Sequence, residues 1–172
     1  MNILKIIKLL APLLISGLFA MPSHATQIED TLSWAHLDDG SAIVKYSSDY
    51  GEEIKSFEAE ISHSSSGEQR LYFYDLSSLG DSLCTYESSV PKSTTMTFNG
   101  QAVKMLRWCR KYTDSRNYYL SYTPETDRGH TYVVNLFKTA LLPIKIQYNN
   151  ETLRFPVTGF TKAWNSGGGN AI

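Results

Sequence analysis

Apolar and polar side chains alternate with period 2 through most of the chain beyond residue 42. Phe57, Ala59 and Ile61 interleave with Ser56, Glu58 and Glu60, which predicts a strand with one face wet. Ala42, Val44 and Tyr46 alternate less cleanly with Ile43 and Lys45, and Asp39-Gly40 ahead of them fits a two-residue turn back to residues 32–37. Leu71 and Phe73 face one way while Tyr72, Tyr74 and Leu76 face the other, which predicts a strand covered on both sides.

Two hairpins follow from turn chemistry. Asn99-Gly100 tolerates the positive φ angles of a type I′ turn, so residues 94–98 and 101–109 should pair, with Met96 opposite Val103 and Phe98 opposite Gln101. Met105 and Cys109 then point inward. Arg107 falls on the same face, a conflict that calls for a bulge or for a strand running past the edge of the core. A second hairpin joins residues 143–148 to 151–157 around Asn149-Asn150, and Pro156, which has no amide proton for a ladder, places that end on an edge.

Between the hairpins, residues 117–123 read as a tyrosine-rich strand with Tyr118, Leu120 and Tyr122 on one face. Tyr132, Val133, Leu136, Phe137, Ala140 and Leu141 then recur at helical spacing, with Lys138 near the C-terminal end and Pro143 as a stop. The β-branched Thr131, Val133 and Val134 pull toward a strand; the period favours the helix. Eight or nine short strands with regular turns predict a mainly β fold: an antiparallel sandwich or open barrel with one short helix near the C-terminal third.

The first 25 residues have the form of a secretory signal. Lys5 and Lys8 precede a short apolar run, and Ser23-His24-Ala25 offers small residues at a cleavage site. The run is shorter than the ~20 residues a membrane-crossing helix needs. The expected organisation is therefore a leader over 1–25, one β-rich domain over 26–164 and a flexible, glycine-rich tail over 165–172. Losing Lys5 and Lys8 takes the formal net charge from −1 to −3. That sign argues against a nucleic-acid partner, which requires a basic face. No second long apolar stretch suggests a membrane span, and a periplasmic location, or alternatively secretion, is expected.

Cys84 and Cys109 are the only cysteines. In an oxidising compartment they should pair, and closing a loop of about 25 residues would stabilise the fold by roughly 3 kcal/mol. Signs of chemistry are sparse. His36, His63 and His130 lack metal-ligand spacing, so no metal or cofactor is expected. The serine runs at 64–66 and 77–78 are not nucleophile elbows and read as turns. Asp38-Asp39 and Glu52-Glu53 lie beside glycines in predicted turns, where acids are solvated. Asp127 and His130 form the most site-like polar pair, since a carboxylate can orient an imidazole for acid–base work. The plainer reading makes Asp127 a helix cap.

Aromatic wealth is the stronger signal. All 11 tyrosines and all three tryptophans follow the leader. Strands favour tyrosine in any case, but Tyr and Trp also supply large, low-entropy contact area at binding surfaces. Tyr118 and Tyr119 must point to opposite faces of their strand, and Trp164 lies beyond the last strand with few evident partners. These three are the candidate binding residues. The segment Leu-Arg-Phe-Pro-Val-Thr-Gly-Phe-Thr-Lys-Ala at 153–163 resembles the close of invasion-associated locus B type periplasmic proteins. It is a short stretch, and the further cysteines of that family are absent here.

The expected function is binding rather than catalysis. The partner would be another protein of the bacterial envelope or outside the cell, as for an inhibitor or immunity protein. The alternatives are a small secreted hydrolase with a dispersed acid and histidine site, and a structural or adhesive envelope subunit.

Overall fold

In the computed structural model, residues 27–28, 33–36, 42–50, 53–76, 84–149 and 151–166 are described. The expected leader, the Asp39-Gly40 turn, the 77–78 serines and residues 167–172 lie outside them. Short strands β1 (Gln27–Ile28) and β2 (Ala35–His36) precede β3 (Ala42–Tyr50), β4 (Glu53–His63) and β5 (Gln69–Asp75). Next come β6 (Lys92–Phe98), β7 (Gln101–Lys111), β8 (Tyr118–Pro124) and helix α1 (Asp127–Thr139). Strands β9 (Ile144–Tyr148) and β10 (Glu151–Phe155) and helix α2 (Phe160–Ser166) complete the order.

The described strands form one antiparallel sheet, ordered β1-β3-β4-β5-β8-β7-β6-β9-β10, with β2 also paired to β3. The sheet curls into a half-barrel, the open-barrel form of the expected fold. Its inner face carries the alternate apolar residues that the sequence pattern marks: Phe57, Ala59 and Ile61 from β4, Leu71 and Phe73 from β5, Leu120 and Tyr122 from β8 are all buried.

Both hairpins take the expected register. Phe98 pairs Gln101 and Met96 pairs Val103, and Tyr148 pairs Glu151 in the second. Asn99 and Gly100 sit at φ 46° and 91°, the double positive values of a type I′ turn. Asn99 also fastens the first hairpin to the second: its amide donates to the Lys145 carbonyl and its Oδ1 accepts from the Lys145 amide, both at 2.8 Å. Pro156 follows the last paired residue of β10, at an end of the sheet, and its carbonyl accepts the Trp34 indole proton at 2.9 Å.

One open alternative is decided, and three expectations need correction. No bulge accommodates Arg107: the ladder of β7 to β8 runs unbroken through it, and the ladder to β6 ends at it. Arg107 faces Lys92, the first residue of β6, so the strand runs past the edge of the core on that side, while buried Tyr122 of β8 flanks it on the other. The helix ends earlier than Pro143, at Thr139, because Ala140 turns to an extended conformation. Leu141 is consequently 95% exposed rather than packed. Asp127 is not the cap; Thr126 is, its Oγ1 accepting from the Gly129 amide at 3.1 Å.

The third correction concerns α2, which the alternation of the sequence does not announce. Phe160 and Ala163 are buried by it, and Trp34, Phe137 of α1 and Phe160 meet with ring centroids 5.0–5.8 Å apart. Asn165 and Ser166 are the last residues of this helix, not the start of a tail. The two helices thus line the inner side of the sheet, where Phe73 contacts Phe137 at 6.2 Å. That leaves the outer side of the central strands open.

Candidate functional site: an aromatic trough on the outer sheet face

Strand β8 carries small side chains outward between two strands that carry large ones. Ser121 pairs Tyr74 of β5 on one side and Trp108 of β7 on the other, and Thr123 pairs Leu106 of β7. Because Ser121 and Thr123 are short, the taller neighbours on both sides leave a furrow above them. The furrow encloses about 520 Å³. Its floor residues are buried although they point away from the core, and Thr123 Oγ1 donates to the Leu71 carbonyl at 2.9 Å.

One wall belongs to β5, where Tyr72 and Tyr74 are two residues apart and so share a face. Their rings stack at 6.5 Å. Tyr119 closes one end, edge-on to Tyr74 at 6.0 Å and against Tyr112 at 4.7 Å. The opposite wall is Trp108, with the Arg110 guanidinium over its ring at 5.5 Å. At the other end are Pro124, Glu125 and Arg70.

Several polar groups here are already hydrogen-bonded. Tyr74 donates its hydroxyl proton to Glu60 Oε2 at 2.6 Å. Burial, reinforced by that carboxylate, holds the Tyr74 phenol far above its ordinary range. Burial raises Tyr72, Tyr112 and Tyr119 as well, so these rings stay neutral through the physiological range. Arg70 donates to Glu68 Oε2 at 2.6 Å and stands 3.6 Å from Asp127 Oδ1. Arg110 differs: among the described residues it has its stacking contact with Trp108 and no carboxylate within ion-pair distance.

The three aromatic candidates do not converge. Tyr119 faces the trough; Tyr118 faces inward and packs half-buried against the core. Trp164 lies on α2, with its ring 5.7 Å from both Phe160 and His130 and with Lys138 Nζ over it at 5.4 Å. Its carbonyl accepts from Gln69 Nε2 at 2.8 Å, tying α2 to β5. Its partners are helix and core groups that the sequence pattern did not reveal.

Asp127 and His130 are not assembled for acid–base chemistry. Asp127 projects into solvent from the first turn of α1, its side chain 96% exposed. His130 packs against Trp164, and its Nε2 is buried with no hydrogen-bond partner among the described residues. Burial first, and Arg70 second, lower the His130 pKa below 6.5, against the opposing pull of Glu68 and Asp127. Among the described residues no group of three or more His, Cys, Asp or Glu side chains gathers as a metal site would require.

Tyr72, Tyr74, Trp108 and Arg110 are the trough residues that sequence reasoning did not single out. The available signal was their spacing: Tyr-x-Tyr and Trp-x-Arg each put two large side chains on one strand face. The missing link was that β5 and β7 both flank β8. No family model, curated protein or solved structure matches this chain.

Proposed function

We propose that this is an exported binding protein that acts by contact with another protein of the bacterial envelope, and that the trough over β8 is its contact surface. The observation that carries the reading is the register Tyr74–Ser121–Trp108. It assembles tyrosines, a tryptophan and an arginine around a small-residue floor on an otherwise polar sheet face. Tyr, Trp and Arg are the residues most enriched at energetic centres of protein interfaces, where they fill pockets at low conformational cost. The Cys84–Cys109 disulfide fits an oxidising compartment. No helix among the described residues is long and apolar enough to cross a membrane. An inhibitor or immunity protein directed at an envelope enzyme or toxin is one concrete form.

The test is capture from periplasmic extract with the full chain as bait, in parallel with Tyr74→Ala and Trp108→Ala, each checked by circular dichroism. Tyr86→Ala, at a 64% exposed position outside the trough, serves as control. A protein retained by wild type and Y86A but lost by both trough variants is the expected result. Equal retention by all four overturns the assignment of the surface.

A further inference from the structure

The loop between α1 and β9 carries Leu141 and Leu142 at 95% and 76% exposure, beside Pro143. Single exposed leucines are ordinary, but two in succession make a convex apolar tip. The nearby charges are of one sign. Lys138 lies three residues before Leu141 and Lys145 three after Leu142, so each backbone is within about 11 Å of a leucine. Arg154 pairs with Lys145 across the β9–β10 hairpin, and Lys162 is on α2, which packs against α1 through Phe137 and Phe160. Among the described residues, none of these four cations has a carboxylate within ion-pair distance; Lys138 is held instead over the Trp164 ring. Two acids share these elements, each at a far end. Asp127 opens α1, about 16 Å along the axis from Lys138, and Glu151 opens β10, about 10 Å from Arg154.

We propose that this tip docks on an anionic lipid surface, with the two leucines entering the headgroup layer and Lys138, Lys145, Arg154 and Lys162 meeting lipid phosphates. The tip shares no residue with the trough, so the proposal stands without it. Charge asymmetry selects this end of the chain. From α1 onward, residues 127–172 hold Arg128 and these four cations against Asp127 and Glu151; residues 26–126 hold 15 acidic against nine basic side chains. A negative surface therefore repels the rest of the chain and attracts this part. Shape favours the same occupant. A protein partner would need a cavity matched to the leucine pair, whereas a fluid bilayer closes around it. Apolar burial then adds to a cationic attraction of about fivefold per side chain near an anionic leaflet.

The test is flotation with vesicles of phosphatidylglycerol and phosphatidylcholine in equal parts, against vesicles of phosphatidylcholine alone. The protein is purified after export and checked by mass for loss of residues 1–25, whose apolar run would bind vesicles by itself. Anionic vesicles should bind it at least about tenfold better than neutral ones, and raised salt should weaken the binding. Leu141→Ser with Leu142→Ser should cost about tenfold, and Lys145→Gln with Arg154→Gln about twentyfold, with circular dichroism unchanged. Tyr74→Ala and Trp108→Ala should float as wild type does, so this proposal and the trough reading fail separately. No binding to anionic vesicles, equal binding to both kinds, or binding untouched by the leucine pair overturns the proposal. Displacement by free glycerol phosphate also overturns it, since the cations would then serve a soluble anion. So does protein capture that depends on the leucines in the absence of vesicle binding, which would assign the tip to a protein partner.

Discussion

Tyr148 of β9 donates its hydroxyl proton to Asp75 of β5 at 2.6 Å, across the inside of the curled sheet and 73 residues apart in sequence. The two strands are not neighbours: β8, β7 and β6 lie between them. Both residues are more than nine-tenths buried, and the Tyr148 ring stands edge-on to Tyr122 and Phe57 at 5.5 and 6.0 Å. The pair is therefore a strut that helps to set the curvature.

Tyr148→Phe keeps the ring packing and removes one donor from a buried carboxylate. Hydrogen bonds to charged groups contribute about 1.5–3 kcal/mol, and the group left behind carries its own desolvation penalty. Urea unfolding should show a loss of about that size with an unchanged slope. A loss under 0.5 kcal/mol would mean that Asp75 is satisfied without Tyr148.

The same tyrosine gives the fold an alkaline limit. Burial, and then the Asp75 carboxylate, raise the Tyr148 phenol far above 10, and Tyr74 is raised by burial and Glu60. Groups whose folded pKa is raised contribute stability that is complete below the unfolded value of about 10 and is lost as pH climbs beyond it. The unfolding midpoint should be level from pH 8 to 9 and fall steeply above 10. Y148F should flatten part of that fall. A variant with the wild-type slope would show that Tyr148 does not hold its proton as described.

Acid acts through His130. Its Nε2 is buried without a hydrogen-bond partner among the described residues, and its folded pKa lies below 6.5. Between that folded value and 6.5 the unfolded chain binds more protons, so stability falls as pH drops through this window. Arg70, Glu68 and Asp127 are the charged groups that act on the imidazole, and Trp164 of α2 packs against its ring. His130→Gln, which carries no titrating proton, should reduce the decline expected in thermal melts as pH drops below 6.5. Identical melts for the two proteins would contradict the buried neutral imidazole.

Local chemistry made the strands and hairpins legible, and non-local pairing hid the site. Asn99-Gly100 dictates a turn whose register then follows residue by residue, and Phe57, Ala59 and Ile61 declare their inner face through alternation alone. Nothing local says that β5 pairs β8, so Tyr72 and Tyr74 cannot be seen facing Trp108 before the sheet order is known. Helix α2 escapes notice for another reason. Its seven residues bury Phe160 and Ala163 with Trp164 beside them, too short a run to show a period. Trp34 supplies the packing that stabilises it: the Trp34 amide donates to the Thr158 carbonyl, and its ring meets Phe160.

Reduction of the disulfide should weaken the protein without dismantling the sheet. Cys84 and Cys109 are joined with their Cα atoms 5.2 Å apart, and the Ser88 amide donates to the Cys109 carbonyl at 3.1 Å. The bond thus fastens the segment before β6 to the C-terminal part of β7. Trp108 and Arg110 lie past the end of the β6 ladder but are paired with Ser121 and Tyr119 in the ladder to β8, which should hold their backbone without the bond. On the chain-entropy model, freeing a loop of 25 residues costs about 3.5 kcal/mol, exerted through a larger unfolded ensemble. The double variant Cys84→Ser, Cys109→Ser should retain the far-ultraviolet spectrum and the Trp108 fluorescence, with its urea midpoint lowered and its slope unchanged or raised. Loss of the β spectrum in native buffer would place the disulfide among the requirements for folding, because the sheet ladders would then be too weak to hold β7 by themselves.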